Sequence, residues 1–127
     1  MKPLEGITVL EFSTMITASF AAMMMAEQGA KVIKVEPMNV GDPMRYIGAN
    51  KGGISSLFAN CNRGKQSIRV NLKEAAGQAL IREMVPEVDV FIHNFRPGVM
   101  DKLNLGSEAL RELNPRLIYA AISGFGK

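Results

Sequence analysis

The chain has 127 residues, 47% apolar and 21% charged, with 12 Gly, 6 Pro and a formal charge of +3. That balance excludes a disordered polymer, a collagen and a disulfide scaffold, and leaves room for one core burying roughly two-thirds of the unfolded surface. The 15 basic and 12 acidic residues are interspersed and Trp is absent, which is not the stripe of cations and stacking rings that nucleic acid requires. A few cations facing one anionic ligand fit the same surplus.

Ile7 to Phe12 reads as a short buried strand, and the apolar stretch Ala18 to Ala26 as a helix stopped by Gln28-Gly29. The charge-free run Phe12 to Ala26 is too short to span a bilayer and carries Ser13, Thr14, Thr17 and Ser19. The N-terminus lacks the basic-then-apolar order of a signal peptide. Lys31 to Val35 is β-branched and ends at Glu36-Pro37, giving a second strand. From Met38 to Gly64 the signals are those of a long loop, with one helical turn at Ser55 to Ala59, and a connection of that length is expected to bind or to close over a ligand. Cys61 within it is the single cysteine, so no intrachain disulfide or Cys-x-x-Cys metal site forms and a reducing cytoplasm is expected.

Ser67 to Leu72 alternates as a strand, and Glu74 to Val85 reads as a helix closed by Pro86. Asp89 to Ile92 is a further buried strand, followed by the turn Asn94 to Gly98 and a short helical piece, Val99 to Leu103. Ser107 is placed as N-cap of a helix through Leu113, and Leu117 to Ile122 is the last strand. Strands alternating with helices predict an α/β fold: a Rossmann-like, mainly parallel sheet with helices on both faces. A strand ending in a Gly-rich turn at residues 123–127 normally feeds another helix, so residues 1–127 read as the incomplete N-terminal part of a larger domain.

In such a sheet, ligands bind beyond the carboxyl ends of the strands. Those ends carry the polar residues here, with Lys73 and Arg96 placed to meet phosphates. The first strand–helix turn, Glu11 to Thr17, contains no glycine, so the fingerprint of a dinucleotide site is missing. A P-loop is also missing, because Gly64-Lys65 is followed by Gln66 and position 59 is Ala59.

Several blocks carry a resemblance. Pro3 to Phe12, Gly29 to Pro37, Gly41 to Arg45, Asn62 to Ile68, Asn94 to Gly98, Leu113 to Ile118 and Ile122 to Gly126 together resemble, in order and spacing, the family III CoA-transferases of the CaiB/BaiF group. The resemblance implies an interlocked homodimer whose Rossmann-like large domain binds coenzyme A, taking an acyl-CoA and a carboxylic acid as partners, with no metal, nucleic acid or membrane involved. It implies covalent catalysis in which an aspartate forms a mixed anhydride with the acyl group, or, in the family's acyl-CoA racemase branch, a His and Asp pair that moves the α-proton. Both catalytic sets lie downstream of the Ser-Gly-Phe-Gly turn, so Asp42, Asp89 and Asp101 take no catalytic role. A non-catalytic binding module is the third reading.

By the same resemblance, Ile16 and Thr17 lie near the nucleotide, Val70, Asn71, Leu72 and Lys73 line its adenosine side, and Asn94, Phe95 and Arg96 touch it at the fourth strand end. Lys102 stands where relatives often carry Arg. Two positions depart from the pattern: Thr17-Ala18-Ser19 replaces Ala-Gly-Pro, and Pro37 replaces an adenine-stacking Arg. The plainer readings are that His93 completes a turn hydrogen bond, Met23-Met24-Met25 fills core and helix surface, and Glu11 and Glu36 cap strand ends. Arg63 and Lys65 stand evenly between a phosphate site and a solvated turn.

Overall fold

The computed structural model describes residues 1–126. Five strands form one parallel sheet: β1 (Thr8–Phe12), β2 (Lys31–Glu36), β5 (Gln66–Arg69), β6 (Val90–His93) and β7 (Ile118–Ala121), in the order β5-β2-β1-β6-β7. The chain runs outward from β1 to one edge, then returns to build the other half, so the order reverses between β1 and β6. A crevice opens at that reversal beyond the strand carboxyl ends.

Alternation along the strands divides the burial between two faces. Leu10, Phe12, Val35 and Phe91 point to one side, where they pack with Ile81 of α3 (Ala75–Met84), Met100 of α4 (Val99–Lys102) and Leu110 of α5 (Ser107–Leu113). Val9, Val32 and Ile92 point to the other, under Ala18 and Ala22 of α1 (Thr17–Glu27). Helices therefore cover both faces, as the sequence predicts. Met23 is buried and Met24 exposed, which accords with core filling and helix surface. No helix among the described residues is long and apolar enough to cross a membrane.

The long connection is more ordered than its composition suggests. Asp42 caps a 3-10 turn over Pro43–Tyr46 by accepting from the Met44 N–H. A small hairpin follows, β3 (Asn50–Lys51) with β4 (Ile54–Ser55), and then α2 (Ser56–Asn62), which packs beside α1. Ser55 Oγ accepts from the Phe58 N–H and donates to Ile47 O, so one hydroxyl both starts α2 and ties the hairpin down.

Most strand and helix ends shift by a residue or two, and three of the shifts have a local cause. Ser107 is the first residue of α5 rather than its cap, because Gly106 takes the extended cap conformation and its carbonyl accepts from Leu110 N–H. β5 ends at Arg69, since after the Val70 N–H bonds Glu36 O the chain turns and Asn71 Oδ1 accepts from Lys73 N–H. The helix expected to run to Val85 ends at Met84 and tightens into a 3-10 turn through Pro86.

Candidate functional site

Three cavities open on the carboxyl rim: one of about 360 Å³ between His93, Asp101, Arg111 and Tyr119, and two larger ones that hold Arg96 and Lys73, respectively. The first of these two, of about 570 Å³, lies at the reversal point, lined by Thr17, Asn94, Phe95, Arg96, Pro97 and the Ile122–Gly126 turn. The second, of about 510 Å³, lies over the ends of β2 and β5, lined by residues 35–40, Val70, Asn71, Leu72, Lys73, Phe95, Val99 and Leu103. Phe95 belongs to both. His93 directs that ring: its Nδ1 accepts from the Phe95 N–H at 3.2 Å, the turn hydrogen bond expected of it. Burial lowers the His93 pKa against the weaker pull of Asp101, so the neutral ring that this acceptor role needs is favoured.

Of the residues expected to bind, Thr17, Asn94, Phe95 and Arg96 gather at the first cavity, and Val70, Asn71, Leu72 and Lys73 at the second. Exposed Ile16 stands next to Thr17, and exposed Lys102 sits on α4; neither lines either cavity. Among the described residues, the side chains of Lys73, Arg96 and Lys102 enter no ion pair, whereas Lys34, Arg45, Arg63 and Lys65 all do. The rim thus keeps unneutralised cations at the mouths of apolar-walled cavities, which suits an anionic ligand with an apolar body.

The wall of the first cavity is a clamped loop. Asn94 Nδ2 donates to Thr14 O at 2.7 Å and Thr17 Oγ1 at 3.0 Å, while its Oδ1 accepts from Thr14 N–H at 3.1 Å. From the opposite side, Asp42 Oδ1 accepts from Met15 N–H at 3.2 Å. Asn94 therefore shapes this wall through the β1–α1 loop. At the second cavity a glycine permits close approach: a Cβ on Gly77 would lie 2.0 Å from Asn71 O, so α3 can seat the turn only without a side chain there.

Beneath the loop lies a cluster that the sequence reading missed. Register places Glu11 opposite Lys34 on the α1 face. Lys34 Nζ lies 2.8 Å from Glu11 Oε1 and 2.9 Å from Asp42 Oδ2, and donates to Ser19 Oγ and to Ser13 O. Lys65 Nζ lies 2.7 Å from Glu11 Oε2 and donates to Ser19 O and Asn62 Oδ1. Two carboxylates and two ammoniums thus neutralise one another under α1. Burial pulls the Lys65 pKa down to about 8, against the attraction of Glu11.

Glu36 stands beside this group, accepting from Arg45 at 2.6 and 2.8 Å, from Ser67 and from Asp42 N–H. Its burial opposes ionisation, but those donors together outweigh it and hold the carboxyl down to about 2. Gly41, at φ +71°, makes room: a Cβ there would meet Glu36 Oε1 at 2.9 Å.

Glu11 and Glu36 are accordingly not strand-end caps but the anionic centres of buried networks. Lys65 is neither a phosphate ligand nor part of a solvated turn, because Glu11 holds it inside; Arg63 does lie at the surface, paired with Glu27. The signal that would have found the cluster was two charges within strands otherwise apolar, Glu11 and Lys34, since a buried charge needs a partner.

The family model for CoA-transferase family III matches residues 4–127. The chain is 43% identical to the acetyl-CoA:oxalate CoA-transferase of Acetobacter aceti, over 98% of this chain and 32% of that protein. It is 38% identical to the human succinyl-CoA:glutarate CoA-transferase, over 100% of this chain and 29% of that protein. Among solved structures, a CaiB/BaiF family protein from Brucella suis superposes with a TM-score of 0.91 at 38% identity, covering 98% of this chain and 34% of that one. The chain thus spans about a third of the length of these relatives.

Proposed function

The chain belongs to CoA-transferase family III, and from that premise we propose that it is the CoA-binding part of an enzyme that moves CoA from an acyl-CoA to a carboxylic acid. The observation that carries the reading is the pair of rim cavities meeting at Phe95, with Arg96 at one and Lys73 at the other. In this reading the adenosine lies along Val70–Lys73 over the apolar cavity beside β2 and β5. The phosphates meet the unpaired cations, including Lys102 from its flank, and the thioester arm passes Phe95 toward Thr17 and Ile16 at the reversal point.

The chemistry is covalent exchange. An aspartate carboxylate attacks the acyl carbonyl and the CoA thiolate leaves; the thiolate attacks the aspartyl carbonyl of that mixed anhydride and releases the donor carboxylate. The acceptor carboxylate then opens the aspartyl-CoA thioester to a second anhydride, from which the freed thiolate takes the acceptor's acyl group and returns the aspartate. We assign that aspartate to polypeptide beyond this chain: Asp42 is consumed in the buried cluster, Asp89 accepts from the Thr8 N–H at the far, amino end of the sheet, and Asp101 lies on α4 in the smaller cavity with His93 and Tyr119, outside the two that hold Arg96 and Lys73. What these residues do is hold the carrier and deliver its thioester end to one place. The reading includes a homodimeric, cytoplasmic full-length protein that needs no metal.

The test uses the full-length polypeptide. CoA should bind in isothermal titration and raise the melting temperature, and an acyl-CoA mixed with a panel of small dicarboxylic acids should yield exchanged thioesters by mass spectrometry. A folded protein that neither binds CoA nor exchanges any thioester would overturn the proposal, and α-epimerisation of a branched acyl-CoA without exchange would replace it with the racemase.

A further inference from the structure

The β1–α1 turn has an unresolved local problem: it contains no glycine, yet Met15 sits at φ +63°, the left-handed region that a side chain disfavours. Something outside the turn must hold it there. The groups that do so converge from three segments. Asp42 Oδ1 accepts from Met15 N–H at 3.2 Å and from Met44 N–H at 2.9 Å, while Oδ2 is anchored 2.9 Å from Lys34 Nζ. Lys34 also donates to Ser13 O, so one ammonium fixes both the start of the turn and the carboxylate that grips its middle. Asn94 closes the other side through Thr14. Asp42 itself is fully buried, so it cannot reach a ligand in the rim cavity.

We propose that Asp42 is a positioning residue: anchored by Lys34, its carboxylate holds Met15 left-handed and so sets the wall that Thr17 and Asn94 present to the acyl thioester. This rests on the function proposed above. It also gives the Gly41-Asp42-Pro43 block a role distinct from ligand contact, since Gly41 and Pro43 bring the carboxylate inward and start the turn that Met44 completes.

The experiment compares Asp42→Ala and Asp42→Asn in the full-length protein, each with and without Met15→Gly, reading CoA affinity, KM for acyl-CoA, kcat and melting temperature. Asp42→Ala should weaken CoA binding about tenfold or more, as expected when a site wall shifts by a fraction of an ångström. Asp42→Asn should fall between Asp42→Ala and wild type: its side-chain oxygen still accepts both N–H groups, but its amide turns an N–H donor toward the Lys34 ammonium and loses that anchor. Met15→Gly should restore most of the affinity lost in Asp42→Ala, because glycine takes φ > 0 unaided, without restoring the lost melting temperature. A merely structural role predicts that affinity and melting temperature return together or not at all.

The proposal is overturned if folded Asp42→Ala binds CoA as wild type does, if Asp42→Asn binds more weakly than Asp42→Ala, or if Met15→Gly recovers nothing. Should Asp42→Ala fail to fold, amide exchange of wild-type Met15 decides: slow exchange both with and without CoA supports a preset turn, and fast exchange in the free protein overturns it. Failure of the wild type to bind CoA overturns the function proposed above, and Met15 exchange then still reports on the turn by itself.

Discussion

Under α3, α4 and α5 the sheet is covered by hydrocarbon and rings: Phe12 stacks on Phe91 with centroids 4.6 Å apart, and Phe91 on Tyr119 at 5.0 Å. Under the amino end of α1, the same strands bury Glu11 and Lys34 with Lys65 and Asp42. The difference lies in what each face tolerates. A ring stack accepts small shifts, because dispersion is undirected and spread over many contacts. An ion cluster fixes its members to particular atoms, because a charge left unpaired in the interior costs several kcal/mol. The rigid chemistry stands beneath the loop that walls the reversal-point cavity, and the compliant chemistry lies on the far side of the sheet.

The sharpest way to break that contrast is to remove the shared cation. Lys34→Met leaves Glu11 paired with Lys65 alone and takes from Asp42 its buried ion-pair partner, and should cost about 3–5 kcal/mol in urea unfolding. On the other face, Phe91→Leu removes ring contacts only and should cost about 1–2 kcal/mol with the fold unchanged. Equal losses from the two variants would show that the cluster is no more stringent than the core.

Acid separates the faces next. Because Glu36 is held down to about 2 when folded, its contribution is present above its ordinary pKa of 4.5 and disappears as pH falls from there toward 2. The stability involved is about 3 kcal/mol, from the size of that shift, and Glu36→Gln should flatten this part of the acid limb. Lys65 acts in the alkaline range. With its folded pKa lowered to about 8, the unfolded chain binds the extra proton between about 8 and 10.5, so stability from this group rises with pH across that window. Phe91→Leu should leave both limbs in place; a shifted acid limb in that variant would mean the two faces are coupled.

How far each region could be read in advance follows from the same contrast. The apolar face was legible, since the short apolar run Ile7 to Phe12 and the β-branched run Lys31 to Val35 both predict buried parallel strands, and the polar residues at strand ends mark the rim. The cluster was not, because its members come from β1, β2, the Asp42 turn and the segment before β5, and meet only once the register sets Glu11 opposite Lys34. The connection 38–64 was misjudged for a related reason. Its Gly, Asn and Pro residues do signal turns, but the hydrogen bonds that order them run from Asp42 and Ser55 to partners brought near by folding.

Gly77 offers an intermediate effect that tests the edge cavity. A methyl group there collides with the Asn71 carbonyl, so Gly77→Ala should cost about 1–3 kcal/mol as an overpacked site. It should also weaken CoA binding, by displacing the turn that carries Lys73. A variant that loses stability but binds CoA normally would take residues 70–73 out of the proposed adenosine site.

The smallest stability effects belong to the cations outside both regimes. Arg96 and Lys102 are exposed and enter no ion pair among the described residues, so Arg96→Ala and Lys102→Ala should each change unfolding free energy by less than about 0.5 kcal/mol. Their effects on CoA should differ. Arg96 lines the reversal-point cavity and offers a planar fork, so its loss should weaken binding about tenfold. Lys102 acts from the α4 flank as a point charge, and its loss should cost about threefold, shrinking further as salt rises from 0.05 to about 0.5 M, where exposed charges are strongly screened. Equal, salt-independent losses from the two variants would mean that Lys102 reaches the ligand directly, and that α4, rather than the Asn94–Gly98 turn alone, supplies the anion contact.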